Sequence, residues 1–178
     1  MQVVVAPEDW LAERLLDRRI VALAGELDAE TVNRAVASLA LLDASGDEPV
    51  QLRLSGVTAD LDAVLTLVDA LDLVGAPVHA TALGTLAGPV VTLLAVGDHR
   101  VVAPHALLQL TEPRTPRGLS GREVEAAAEQ RARGLRRLQE RLAEACGRPV
   151  EQIAADMRAG LVLGAEEARA YGLADDGA

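Results

Sequence analysis

Apolar and polar residues alternate along this chain in two rhythms, and the switches between them mark the elements. "DWLAERLLDRR" repeats apolar positions at helical spacing (Trp10, Leu11, Leu15, Leu16), with Asp9 placed to cap the helix. "IVALAGEL" is a short apolar run broken at Gly25, the signature of a buried strand. The next helix has Asp28 as its cap, Glu30 and Thr31 in its first turn, and Val32, Ala35, Val36, Leu39 and Leu42 on one face. "PVQLRLSG" alternates as a strand, "ADLDAVLTLVDALDLV" is a helix stopped by Gly75 and Pro77, and "VHATALG" is a strand. "PVVTLLAVG" reads as a helix with Pro89 in its first turn, and "HRVVAPHALLQL" supplies one or two strands. "TEPRTPRGLSG" is a loop or irregular edge strand. The long helix that follows has Glu and Arg at helical spacing and a thin stripe of Val124, Ala128, Leu135, Leu138 and Leu142. Two shorter helices end at Gly160 and Gly172. Strand–helix alternation up to about residue 105 predicts an α/β domain with largely parallel strands and right-handed crossovers.

Composition narrows the chemistry. All 17 basic residues are Arg, which fits GC-rich codon usage. Without Lys there is no Schiff base, no Ser–Lys dyad and no Walker-type phosphate loop. The formal charge of −10, with no Phe, one Trp and one Tyr, argues against nucleic acid, which calls for a basic groove and stacking aromatics. Cys146 is the only cysteine, so neither an internal disulfide nor a cysteine-based zinc site is expected, and no metal or cofactor is assigned. The longest apolar run, Pro89 to Gly97, falls far short of the roughly 20 residues of a membrane helix. A cytoplasmic protein without membrane contact is the expectation.

The candidate site is the turn "GTLAGPVV". A Gly-rich turn running into an apolar helix is where many hydrolases carry a nucleophile, yet here it offers Gly88 and Pro89. Its element order and several collinear runs resemble the Clp protease proteolytic subunit (ClpP) family of the ClpP/crotonase superfamily. These runs are "RLLDRRIVALAGELD", "TVNRA", "GTLAG", "LLAVGDHRVVAPHA", "PVEQI" and "AEEARAYGLAD". The resemblance spans nearly the whole chain. It implies one domain built as a superhelix of strand-strand-helix turns. Residues 1–8 would be a short arm, 9–110 the head, 111–146 a projecting handle, and 147–178 the completion of the head.

The resemblance also implies a Ser–His–Asp peptidase, with a hydroxyl nucleophile, a base, an orienting acid and two oxyanion donors. Carried over position by position, the nucleophile falls on Gly88, the base on Thr111 and the acid on Gly160. One oxyanion donor falls on Pro89, which has no N–H, and the other on Thr58 and Ala59 where the family has Gly-Gly. Thr85 and Thr92 flank the turn without an evident base. His79, His99 and His105 lie in or beside strands and are given structural places; His105 matches a family histidine that is not catalytic. Thr111 and Glu112, if on a strand, would point to opposite faces.

Family members assemble as heptameric rings, often paired through the handle. Here Pro113 and Pro116 remove donors from the handle strand, and the family's acid–Arg pair reads Arg158 and Ala159. The tyrosine of the family's AAA+ unfoldase pocket aligns with Arg53, which implies weakened docking. The expected function is therefore a non-catalytic subunit, structural or regulatory, in a homo-oligomer or in a ring mixed with active ClpP. The alternatives are an independent peptide- or small-molecule-binding module using the former cleft, and a residual or new enzyme drawing on Asp60, Asp62, Thr111 and Glu112.

Overall fold

A computed structural model gives the fold and describes residues 7–113 and 122–175. Within the first and the long fifth helix, side chains are described from Trp10 and Ala126 onward. The chain runs α1 (Pro7–Leu16), β1 (Ile20–Glu26), α2 (Ala29–Ala44), β2 (Val50–Thr58), α3 (Leu61–Leu73), β3 (Val78–Leu83) and β4 (Thr85–Ala87). A single 3-10 turn (Gly88–Val90) leads into α4 (Val91–Ala95), followed by β5 (His99–Val102) and β6 (Leu107–Gln109). Then come α5 (Arg122–Cys146), α6 (Val150–Ala159), β7 (Val162–Leu163) and α7 (Ala165–Tyr171).

The strands form two sheets. Parallel β1-β2-β3-β5 make the larger; β4-β6-β7 make the smaller, with β4 parallel and β7 antiparallel to β6. Alternation in the large sheet is strict where it matters. Leu52 and Leu54 of β2, and Val78, Ala80 and Ala82 of β3, are buried, while Gln51, Arg53, His79 and Thr81 face the other way. Against the buried face pack α2, through Val32, Ala35, Leu39 and Leu42, and α3, through Leu61, Val64, Leu67, Val68 and Leu71. Every residue of α4 is buried, as a helix apolar at every position but Thr92 tends to be, and it packs on α3, α5 and β3. The apolar run of the sequence is thus the central helix of the core.

The predicted helix cap at Asp28 forms, and Asp60, read from the sequence only as a candidate for chemistry, caps α3 in the same way: each carboxylate accepts an N–H from the first turn, Thr31 and Ala63, at 2.8 Å. Several expectations are corrected. α1 starts at Pro7, whose fixed φ suits a first turn, so Asp9 lies inside the helix rather than at its cap. Trp10 and Leu11 are more than half exposed, and only Leu15 and Leu16 turn inward. Gly25, at φ +69°, does not end β1: it lies opposite the stretch where β2 carries one extra residue, beside Gly56 at φ +56°, and Glu26 still pairs with Thr58. Ala128 of α5 is exposed; the inward stripe is Leu135, Leu138 and Leu142, joined by Gly134 against Leu61 and Leu65. Strands β4 and β7 are too short for periodicity to mark. Residues 111–113 belong to no strand, and both Pro116 and Val124's side chain lie outside the described residues.

Candidate functional site

The turn is built by the small sheet. Gly84, at φ +66°, lets the chain leave β3 and enter β4, and its carbonyl accepts the Leu107 N–H at 2.9 Å. Strand β4 then runs parallel to β6, with Ala87 opposite Gln109. Gly88, at φ +73° in a left-handed conformation, opens the 3-10 turn that feeds α4, with Pro89 as its second residue. Both residues are buried.

Thr111 follows β6 by two residues. Its neighbour Leu110 is anchored by an N–H bond of 2.8 Å to the Leu161 carbonyl, which ties this segment to the end of α6. There Gly160 closes α6 in a left-handed cap at φ 70° and ψ 43°. A Cβ built on Gly88 would sit 3.4 Å from Thr111 Oγ1, and one on Gly160 would sit 3.8 Å from Thr111 Cγ2. The three sequence-predicted positions therefore converge, with the Thr111 side chain between the two glycines.

What they can do chemically is little. Neither glycine has a functional group. Thr111 Oγ1 makes no hydrogen bond among the described residues, so no base prepares it as a nucleophile. Pro89 has no N–H to offer a developing oxyanion. Thr58 ends β2 and Ala59 leads to the α3 cap.

The other candidates are placed elsewhere. Thr85 is exposed on β4. Thr92 is 1% exposed, one helical turn past Gly88, and its hydroxyl has no partner among the described residues. Asp60 spends its carboxylate on the α3 cap, while Asp62 and Glu112 are exposed. His79 and His99 stand at the starts of β3 and β5, the far end of the strands from this turn, and His105 is exposed between β5 and β6. Burial pushes the Cys146 thiol up to about 11, which keeps it protonated and unreactive at neutral pH. Sequence reasoning missed Thr111's place as the side chain filling the space between Gly88 and Gly160. The signal available was a branched polar residue at one of three positions whose other two are glycines.

The family model for Clp protease matches residues 8–176. The chain belongs to the Clp protease family. Within that family it is 34% identical, over 170 residues, to the ATP-dependent Clp protease proteolytic subunit 3 of Rhodococcus jostii (strain RHA1). That alignment covers 94% of this chain and 84% of the relative. The mixed α/β architecture and parallel large sheet are those expected of a Clp protease fold. Among the described residues, no helix is long and apolar enough to cross a membrane.

Proposed function

We propose that this chain is a non-catalytic Clp-protease subunit, structural or regulatory, which enters a ring alone or together with active subunits in the cytoplasm. One observation carries the reading. The positions aligned with nucleophile, base and acid meet in space as Gly88, Thr111 and Gly160, and the residue beside the first is a proline. Three aligned positions that lie together in space, yet supply neither hydroxyl nucleophile, base nor acid, with a proline at one oxyanion donor, support a scaffold role. Losing one such donor alone costs a serine hydrolase about 100- to 1000-fold in rate. Arg53, exposed on β2, also makes the open sheet face less suited to an apolar docking loop of an unfoldase.

The test is direct. The purified chain, incubated with a fluorophosphonate probe and a fluorogenic peptide, is expected to show no labelling and no hydrolysis above buffer. An active family subunit serves as the positive control. Stoichiometric labelling of Thr85, Thr92 or Thr111 would mean that the chain is an enzyme and that the reading is wrong.

A further inference from the structure

Helices α2 and α3 cover one face of the large sheet, and the other carries an ordered row of side chains. Register places Gln51 of β2 beside His79 of β3, and His79 beside His99 of β5. Residues twenty apart in sequence thus become lateral neighbours. The two imidazoles meet edge to face, with ring centroids 5.4 Å apart and planes at 70°. Each Nδ1 turns outward to a flanking group. That of His79 lies 3.4 Å from the Gln51 side-chain amide, and that of His99 lies 3.7 Å from Asp175 Oδ2. Asp175 is itself fixed, accepting the Arg100 backbone N–H at 2.7 Å and its guanidinium at 2.5 Å. Among the described residues neither Nε2 has a hydrogen-bond partner. The site is open to solvent: His99's side chain is 40% exposed and His79 is half-buried.

We propose that His79 and His99 form a two-histidine chelate for a borderline divalent cation of the Zn²⁺ class, each ligating through Nε2. The fit rests on three points. Imidazole suits Zn²⁺, Ni²⁺ and Cu²⁺. Two imidazoles sharing a tetrahedral ion at Zn–N distances of about 2.0–2.1 Å have centroids about 5 Å apart, close to the separation present here. Finally, a ligating histidine keeps its metal-facing lone pair by donating Nδ1–H to a carboxylate or carbonyl oxygen. Asp175, whose carboxylate already accepts from Arg100, stands 3.7 Å from His99 Nδ1, so a small side-chain rotation on metal binding brings it into that role. The Gln51 amide supplies the acceptor to His79 when its oxygen faces the ring, an orientation interchangeable with its nitrogen. Both ligands stand on paired strands, so little ordering is needed on binding. No group of three or more His, Cys, Asp or Glu side chains suited to a metal occurs among the described residues, so water completes the shell and the affinity is moderate. The site is separate from the Gly88 turn and does not depend on the proposed function.

The experiment uses the tag-free full chain titrated with ZnCl₂, followed by calorimetry and by ¹⁵N–¹H spectra of its three imidazoles. One ion per chain is expected, with Nε2 of His79 and His99 shifting and His105 silent. His79→Ala or His99→Ala should each weaken binding at least about tenfold, while His105→Ala leaves it unchanged. The spectra of the unmodified chain need no variant, so a variant that folds poorly does not obscure the result. Absence of a shift at His79 and His99, or undiminished binding in the double variant, overturns the proposal.

Discussion

Gly88 is held at φ +73°, where a side chain is strained, and a Cβ there would come into contact with Thr111 Oγ1 at 3.4 Å. Replacing the missing hydroxyl alone therefore adds strain without chemistry. Gly88→Ser is expected to cost about 1–2 kcal/mol in urea unfolding and to gain no fluorophosphonate labelling, because Thr111 cannot take its proton. Labelling of that single variant would show that a base had been overlooked. A second residue-scale expectation concerns alkaline pH. Burial raises the Cys146 thiol from 9.0 to about 11. Burial, with the hydrogen bond of 2.6 Å donated to Asp156, also raises the Tyr171 hydroxyl. The folded chain thus holds protons that the unfolded chain releases, so the stabilisation is full below pH 9 and shrinks as pH climbs toward 11. Urea midpoints should fall across that interval, and fall less steeply in Cys146→Ala. A flat profile in the unmodified chain contradicts this.

Elements here are fastened by a few polar clamps whose partners are far apart in sequence. Arg100 of β5 donates to the Gly172 carbonyl at 2.8 Å, to the Ala145 carbonyl at 3.2 Å and to the Asp175 carboxylate at 2.5 Å. It joins the sheet edge to the ends of α5 and α7. The guanidinium holds the Asp175 carboxyl below its usual range, so this contribution is present above the ordinary carboxylate pKa and is lost as pH falls through the lowered one. Arg100→Met should cost about 2–3 kcal/mol, less than a fully buried pair because both partners keep some solvent, and should strip hydrogen-exchange protection from residues 172–175 first. Uniform loss of protection would instead mean that the clamp acts on the whole fold. Such long-range pairings also set the limit of what the sequence discloses. Helices α2, α3, α6 and α7 were legible, because caps such as Asp28 and stops such as Gly160 and Gly172 act within one turn. The convergence of Gly88, Thr111 and Gly160 was legible only through the family resemblance. Strands β4 and β7 were not legible, since three and two residues carry no period. The His79–His99 contact was hidden too, because register, which no local pattern encodes, creates it. The helical spacing of Trp10, Leu11, Leu15 and Leu16 marked a helix, but such spacing shows a face without showing what covers it, and Trp10 and Leu11 are exposed.

At the scale of the molecule the question is assembly. On α5, several charges are answered within the chain. Arg133 pairs with Glu129 at 3.4 Å, Arg136 with Glu140 at 2.8 Å, and Arg141 with Asp72 of α3 at 2.7 Å. A helix satisfied in this way makes little demand for a facing copy, and Pro113 removes a donor from the segment that would pair with one. Apolar side chains, by contrast, are exposed on α1, α2 and α3: Trp10 at 56%, Leu41 at 58% and Leu73 at 83%. Lateral contacts between heads are therefore expected to hold this chain in a ring more readily than handle-to-handle contacts hold two rings together. Sedimentation of the chain alone should give one species several times its 18.6 kDa mass, with no species of twice that size. Co-expressed with an active family subunit, it should elute within the same ring, and peptidase activity per ring should fall as its share rises. The chain contributes subunits without a nucleophile, so a mixed ring at equal shares should lose about half its hydrolytic rate if sites act independently. A steeper fall would mark an inhibitor that disturbs neighbouring sites. A monomer that never enters the active ring would remove the assembly reading and leave the Gly88 turn as an empty cleft on a lone domain.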